Sequence, residues 1–427
     1  MFLLGLLGGV LLRVALHPIV AKPPLGELPK RNERGRFQGV KLGAFLGLAG
    51  LGIAAALVGL IVTVSGVVPI AASSGHWPIT EWFLQFAMRR SISTYSLGIE
   101  IPPLNDPQLI LRGATHYEIG CRPCHGSPDI PLPQIPAHMT PHPPDLRHRI
   151  NDREARELFY VVKHGVKFTG MPAWPAPQRD DEVWGVVAFL MQLAQLDGSA
   201  YRRLVDGAAT VTPPIDALGG PPTVPLAVTQ SCVRCHGLDG LGRGEGTFPK
   251  LAGQRRDYLE NALNAYARGE RHSGTMGPIS AGLRADAISE IAQYYAQLPN
   301  PLPASSTGQA AIERGRAIVE HGIPKQRVPS CVDCHAPEGG RYNPNYPALE
   351  GQYADYLLLQ LELFTRGQRG GSDYAHLMEP IAKRLRPDQM RDVAQYFASQ
   401  LPRPTEKNPS EPLTPAVSKE LTPSSDR

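Results

Sequence analysis

The 427-residue sequence predicts an all-α fold, in which one N-terminal transmembrane helix precedes three tandem helical domains. Three observations predict it: a long uncharged segment begins at residue 42, the six cysteines form three equally built motifs, and an amphipathic helical pattern follows each motif. With 42% hydrophobic and 19% charged residues, the chain can bury several modest cores.

Basic residues are concentrated at the N-terminus. The formal net charge is +4, and residues 1–41 hold seven Lys or Arg against two Glu, a net of +5, which leaves −1 for residues 42–427. A nucleic-acid-binding protein would carry a basic patch on its folded part. We therefore predict no nucleic-acid partner and assign residues 1–41 to a basic arm.

Residues 42–72 form an apolar segment, and no Asp, Glu, Lys or Arg lies between Lys41 and Glu81. About 20 apolar residues are enough to span a bilayer. Because basic residues precede the segment, the positive-inside rule places the arm in the cytoplasm and the rest of the chain across the membrane. A cleaved signal peptide is the alternative, but its apolar region is only about 7–15 residues long. We predict an uncleaved, single-pass anchor in a bacterial inner membrane.

Residues 73–104 are predicted to be an interfacial or linker segment. Aromatic side chains followed by arginines are typical of a membrane surface. Here they are Trp77, Trp82, Phe83, Phe86, Arg89 and Arg90. We expect an aromatic belt or a short surface helix.

All six cysteines belong to Cys-x-x-Cys-His motifs. Their residues are Cys121, Cys124 and His125; Cys232, Cys235 and His236; Cys331, Cys334 and His335. This is the signature of covalent haem c attachment. On one helical turn two thiols share a face and can form thioethers with the haem vinyl groups, while the histidine points at the iron. We predict three covalently attached haem c groups.

Two other sites use paired cysteines. A structural zinc site needs its two Cys pairs closer in sequence than these motifs are, and a thioredoxin-like pair does not require the trailing histidine. Bacteria attach haem c outside the cytoplasmic membrane. The motifs and the basic arm therefore independently predict that the haem domains are periplasmic.

Stretches rich in proline and glycine divide the rest of the chain. We predict three haem-carrying domains, called the first, second and third modules: residues 105–198, 231–299 and 300–401. Residues 199–230 are assigned to a Pro/Gly-rich linker and residues 402–427 to a disordered tail.

Helical patterns close each module, at residues 180–196, 285–298 and 387–401. Helices are also predicted before the first and third motifs, at residues 108–119 and 308–321. Their glycines, Gly113 and Gly315, are expected to let an aromatic residue of the closing helix approach. The second module has no clear counterpart of this helix.

The second and third modules repeat each other at an offset of 98 residues. The residues Pro249, Leu251, Gly253, Gln254, Asp257, Tyr258, Leu259, Arg268 and Gly269 return as Pro347, Leu349, Gly351, Gln352, Asp355, Tyr356, Leu357, Arg366 and Gly367. Such self-similarity indicates a duplicated structural unit. The first module shares the haem motif but not this line.

A haem held by one histidine keeps an open coordination position unless a second side chain closes it. Methionine in this position raises the reduction potential and suits electron transfer, whereas an open iron suits ligand binding or peroxide chemistry. Met171, Met276 and Met378 are the predicted ligands, each in a glycine-bearing loop before the closing helix. Met139 is a rival to Met171. Bis-histidine ligation is the alternative, and its candidates are His164, His272 and His376.

Arg268 and Arg366 occupy matched positions in the repeat. They are candidates to pair with haem propionates, because a guanidinium fork fits a carboxylate. The alternative places them at solvated helix ends.

These motifs and their surroundings resemble c-type cytochromes. The first module resembles a single-haem class I cytochrome c, in the stretches Gly120–Gly126 and Gly170–Pro172. The second and third together are similar to dihaem cytochromes c4, in Cys232–Gly237 and in the repeated Leu-x-Gly-Gln line. The resemblance covers about residues 105–401 and implies an all-helical fold, His/Met haems and electron transfer between membrane complexes. The proline-rich entry to the second module departs from the usual pattern.

Three functions are compatible with these features. The first is a membrane-anchored trihaem electron carrier of a respiratory chain, not itself an enzyme, that delivers electrons to a terminal oxidase. The second is the cytochrome subunit of a membrane-bound dehydrogenase for alcohols, aldehydes or sugar acids. The third is a haem peroxidase, which requires an open iron, yet each module supplies a candidate methionine. The predicted partners are redox proteins of the membrane respiratory chain.

Overall fold

The computed structural model describes residues 42–207, 224–301, 308–336, 343, 345–371 and 373–402. These residues are predominantly helical and contain no β-strand, which agrees with the predicted all-α fold. The basic arm, most of the linker and nearly all of the tail lie outside them, so those assignments stay predictions. The chain divides into two units, Met1–Ile70 and Ala71–Arg427.

Helix α1, Leu42–Val64, is the candidate membrane span. Its segment Gly47–Val64 has a mean hydropathy of 2.3 and no buried residue. At about 1.5 Å per residue the helix is about 34 Å long, enough for a hydrocarbon core of about 30 Å. It ends before residue 72, because Gly66 has a left-handed φ of 68° and Pro69 cannot continue a helix.

Helix α2, Pro78–Tyr95, follows the 3₁₀ turn Ala72–Ser74. Four aromatic side chains at its start are more than half exposed: Trp77, Trp82, Phe83 and Phe86. Near its end Ile92 is buried, and Tyr95 stacks on Tyr160 of the first module with ring centroids 5.9 Å apart. The C-terminal end of α2 is therefore packed, whereas its first half presents an apolar surface.

The first module contains four longer helices. They are α3 (Pro107–His116), α4 (Ala155–His164), α5 (Asp180–Leu193) and α6 (Gly198–Asp206). Shorter turns are Tyr117–Cys121, Arg122–His125, Gln134–Ala137, Leu146–Arg149 and Ile150–Asp152. Helices α3 and α5 meet at Gly113, where a Cβ would collide with the carbonyl of Gly185 and lie 2.9 Å from Cβ of Phe189. The expected close approach of an aromatic residue is confirmed here.

Helix α6 occupies the start of the predicted linker, residues 199–230. Its residues Tyr201 and Val205 are fully buried in the core of the first module. The Tyr201 hydroxyl donates to Glu118 Oε2 at 2.5 Å, and Asp197 caps the helix by accepting from Ala200 N at 2.7 Å. The proline content that indicated a linker begins only at Pro213. Residues 199–206 are helical because Tyr201 and Val205, four residues apart on one face of the helix, both pack on the core of the first module.

The second and third modules contain seven longer helices in the described residues. They are α7 (Arg256–Ala267), α8 (Met276–Ala281), α9 (Ala285–Gln297), α10 (Gln309–His321), α11 (Ala354–Thr365), α12 (Ala375–Arg384) and α13 (Pro387–Ser399). Shorter turns are Val228–Cys232, Val233–His236, Gly244–Gly246, Pro324–Gln326 and Val332–His335. A Cβ on Gly315 would collide with the carbonyl of Asp392 and lie 2.8 Å from Cβ of Tyr396. Helices α10 and α13 therefore pack as α3 and α5 do.

The 98-residue repeat builds a reciprocal contact between the second and third modules. Gln254 donates to the carbonyl O of Ala348 at 2.9 Å and accepts from its N–H at 2.9 Å. Gln352 donates to the carbonyl O of Lys250 at 2.9 Å and accepts from its N–H at 3.0 Å. Because Lys250 and Ala348 are also 98 residues apart, the two modules face each other about a pseudo-two-fold axis.

Candidate functional site

Each Cys-x-x-Cys-His motif closes in one helical turn: Arg122–His125, Val233–His236 and Val332–His335. In the first two modules a π-helical segment carries the first cysteine, Tyr117–Cys121 and Val228–Cys232. All six cysteines are free of disulfides. Each pair of thiols lies three residues apart on a turn, the arrangement that two thioether bonds to one porphyrin require.

One hydrogen bond orients the histidine of each motif. In all three cases Nδ1 faces a proline carbonyl: His125 faces Pro144 at 3.0 Å, His236 faces Pro249 at 3.1 Å and His335 faces Pro347 at 3.1 Å. A carbonyl oxygen only accepts, so the proton is assigned to Nδ1 and the lone pair of Nε2 is free to bind a metal. These donor sets therefore fit a covalently attached haem with histidine as one axial ligand.

Burial keeps these imidazoles neutral. It lowers the pKa of His125 and of His236, and it lowers the pKa of His335 to about 4. The neutral imidazole is the form that ligates a metal. The sequence motifs did not predict the proline carbonyls as partners, although Pro249 and Pro347 are the first residues of the 98-residue repeat.

The three candidate methionines precede the closing helices α5, α9 and α13. Met171 lies in the loop before α5, Met276 is the first residue of α8, and Met378 lies inside α12. The expected loop is wrong for Met276 and Met378, which lie in helices, and the Met276 N–H donates to Ser273 Oγ at 3.1 Å. All three are half-buried, and each stands nine residues before the closing helix.

The alternative ligands lie in different surroundings. Met139 is next to the Met171 loop, since a Cβ on Gly170 would lie 3.7 Å from its Sδ. His164 and His376 are exposed. His272 is half-buried, with Nδ1 3.1 Å from the carbonyl O of Gln368. The rivalry of Met139 with Met171 therefore stays open.

Arg268 and Arg366, the predicted propionate partners, are exposed. Arg268 pairs with Glu270 at 2.8 Å and Arg366 with Glu362 at 3.4 Å, and the arginine side chains are 57% and 55% exposed. Each residue ends a helix as its C-cap. The structure favours the alternative of a solvated helix end, because both guanidiniums are exposed and already pair with exposed carboxylates.

Two other arginines, Arg271 and Arg369, lie between the second and third modules. Arg271 donates to the hydroxyls of Tyr258 at 3.2 Å and Tyr356 at 3.0 Å, and Arg369 donates to Tyr258 at 3.4 Å. They also stack on the rings of Tyr266 and Phe364, respectively. These described partners are neutral, so an anionic group beside the guanidiniums would balance their charge. This pair was not among the predicted site residues, although its members are 98 residues apart and so recur at the offset of the repeat.

Comparisons with known proteins match three segments of the chain. Residues 108–190 match the family described as cytochrome c oxidase, cbb3-type, subunit III, and residues 226–295 and 312–400 match the cytochrome c family. The chain is 36% identical over 180 residues to a thiosulfate dehydrogenase electron acceptor of Thiomonas intermedia (strain K12), covering 41% of this chain and 81% of that protein. It is 31% identical over 194 residues to a cytochrome c4 of Thiocapsa roseopersicina, covering 45% and 97%. A solved cytochrome c4 from Acidithiobacillus ferrooxidans is 33% identical, with a TM-score of 0.35, and the match covers 39% of this chain and 98% of that one.

Proposed function

Since this chain belongs to the multihaem c-type cytochromes, we propose that it is a membrane-anchored trihaem electron carrier whose haem modules lie in the periplasm. The observation that carries the proposal is the set of three attachment turns, each with an imidazole held at Nδ1 by a proline carbonyl. Haem c supplies one-electron redox exchange when bound. The chain attaches it, orients it and sets its potential.

Methionine completes the proposed ligand sets. Met171, Met276 and Met378 pair with His125, His236 and His335, respectively. The equal distance of nine residues to the closing helix supports Met171 over Met139, because the first module then follows the same plan as the repeated modules.

Arg271 and Arg369 are proposed to balance haem propionates in the second and third modules. They replace Arg268 and Arg366 in this role, because Arg271 and Arg369 bond to neutral partners between the two modules, whereas Arg268 and Arg366 pair with acidic residues. A buried cation next to a haem also favours the reduced form, whose net charge is more negative.

The proposed donor is a dehydrogenase that oxidises a small sulfur oxyanion such as thiosulfate, and the proposed acceptor is a haem–copper terminal oxidase. The relative named as an electron acceptor of thiosulfate dehydrogenase supports the donor. Residues 42–427 carry a net charge of −1, and six propionates make the haem modules more acidic. A basic face on the partner would therefore steer docking.

The test is stopped-flow mixing of the purified oxidised protein with such a dehydrogenase and thiosulfate. We expect haem reduction that slows as the salt concentration rises, because exposed charges are screened. A protein that dithionite reduces but the dehydrogenase does not would contradict the proposed donor. Fewer than three haems in a pyridine haemochrome assay would contradict the trihaem assignment itself.

The alternative is a permanent cytochrome subunit of a membrane-bound dehydrogenase for alcohols, aldehydes or sugar acids. Copurification of such an enzyme with the chain from membranes would support it over a mobile exchange of electrons. A peroxidase would need an open iron, so stoichiometric carbon monoxide binding at one reduced haem would point to that function instead.

A further inference from the structure

The first module is bonded to the loop that precedes Met276. Glu182 of α5 accepts hydrogen bonds from Ser273 Oγ at 2.7 Å and from Gly274 N at 2.6 Å. Its carboxylate also pairs with Arg179 at 3.0 Å, and the two side chains are only 4% and 10% exposed. A buried, charged contact of this kind holds one geometry, because breaking it would leave a desolvated charge.

Two more contacts hold the ends of this loop, residues 272–276, which we call the second methionine loop. Arg179 Nη1 donates to the carbonyl O of His272 at 2.7 Å. Thr275 Oγ1 is hydrogen-bonded to the ring of His116, which is buried at the end of α3. The first module is therefore bonded to each of residues 272–275 of this loop.

Trp174 brings the first module's own methionine region into this contact. It lies three residues after Met171, in residues 171–174, which we call the first methionine loop. Its indole Nε1 donates to Glu182 Oε2 at 3.2 Å. The ring lies so close to Gly274 that a Cβ on this glycine would stand 2.7 Å from Cζ2 and collide with the indole. The two methionine loops thus touch through one indole ring and one glycine.

The attachment turn of the second module is also covered from this side. Arg234, inside the second motif, lies 3.8 Å from Glu118, which is buried just before the first motif. Cys235 is 7% exposed, whereas Cys334, its equivalent in the third module, is exposed. The second cysteine of the attachment motif is therefore buried in the second module, where the first module packs on it, and exposed in the third module.

We propose that Trp174 is the electron-transfer contact between the first and second modules. One electron passes between their haem irons, so that one iron is oxidised as the other is reduced, and no bond forms or breaks. Tunnelling weakens steeply across empty gaps, and an indole packed on a side-chain-free residue closes the gap between the two methionine loops. This inference rests on the proposed His/Met ligation.

The glycine allows a matched set of variants. Gly274→Ala adds a methyl group that collides with the indole, whereas Gly277→Ala, three residues later, has its nearest neighbour, the carbonyl O of Tyr266, at 3.8 Å. Trp174→Ala removes the contact, and Trp174→Phe keeps an aromatic ring. The double variant Gly274→Ala/Trp174→Ala relieves the collision without restoring the indole.

The measurement is internal electron redistribution after a flash that reduces less than one haem per molecule. We expect Trp174→Ala to slow exchange between the first and second modules about tenfold or more. Gly274→Ala should also slow it, Trp174→Phe should retain part of the rate, and the double variant should be no slower than Trp174→Ala. Gly277→Ala and the exchange between the second and third modules should be unchanged.

Three controls distinguish loss of the Trp174 contact from damage to a haem site. Every variant should keep three haems, its midpoint potentials and the weak absorption of methionine-bound ferric haem at the red end of the spectrum. An unchanged rate in Trp174→Ala with all three controls intact would overturn the proposal and assign the exchange to the Cys235 side. Absence of the methionine absorption in the unmodified protein would overturn the proposed ligation instead.

Discussion

The second module joins its two neighbours through interfaces of different construction. Toward the third module, Gln254 and Gln352 make the same neutral hydrogen bonds in opposite directions. Toward the first module, the buried side chains of Glu182 and Arg179 bond to the Ser273 hydroxyl and to backbone groups of residues 272 and 274. A duplicated unit can pair through one self-complementary patch, whereas two distant relatives have to be matched contact by contact.

The largest effect is expected from loss of a haem, because its consequences for the two interfaces depend on which module loses it. Cys124→Ser and Cys235→Ser should each lower covalent haem from three to two per chain in a pyridine haemochrome assay. Only Cys235→Ser should loosen both interfaces, because the second module belongs to both. Three haems in either variant, or equal destabilisation of the two variants in thermal unfolding, would contradict this picture.

Loss of an axial ligand comes next and tests whether the first module follows the plan of the repeat. Met171→Ala, Met276→Ala and Met378→Ala should each remove part of the methionine absorption at the red end of the oxidised spectrum. Met139→Ala is the matched control and should leave it intact. If Met139→Ala removes the absorption and Met171→Ala does not, the first module uses a ligand outside the common nine-residue spacing.

Substitution of a single hydrogen-bonding residue should lower the free energy of unfolding by a smaller amount, and by different amounts at the two interfaces. Gln254→Ala and Gln352→Ala should destabilise the protein by similar amounts of about 1–2 kcal/mol, since their contacts are equivalent. Glu182→Gln should cost about 2–3 kcal/mol, because its bonds involve a buried charge. Denaturant unfolding measures these losses of stability. Unequal effects of the two glutamine variants would show that the pseudo-symmetric contacts do not contribute equally to stability.

The smallest effect is expected in the reduction potentials. Arg271→Gln should lower the midpoint potential of a haem at the interface of the second and third modules by tens of millivolts, on a scale where about 59 mV is a factor of ten for one electron. Arg268→Gln should change nothing, because that guanidinium is paired in solvent. A redox titration that finds equal shifts would return the propionate role to the exposed arginines.

Much of the fold could be predicted from the sequence, because it depends on local residue patterns. The attachment turns, the closing helices and the glycine contacts at Gly113 and Gly315 depend on residue spacings within one or two helices. Helix α6 was missed, because the apolar pair Tyr201 and Val205 lies next to a proline-rich stretch and is stabilised by burial in the core. The exposure of Arg268 could not be predicted for a related reason: a repeat does not encode exposure, and Arg268 and Arg271 both recur at the same offset.

The sequence by itself determined that the chain carries three haem-attachment motifs on a helical fold, with two modules built on one plan. Covalent chemistry and helical periodicity are written in adjacent residues, so they need no tertiary context. Only the tertiary structure decided which arginines lie between the modules and which modules touch through which groups. The Glu182–Gly274 bond joins residues 92 positions apart, and a contact at that separation exists only because whole modules pack against each other.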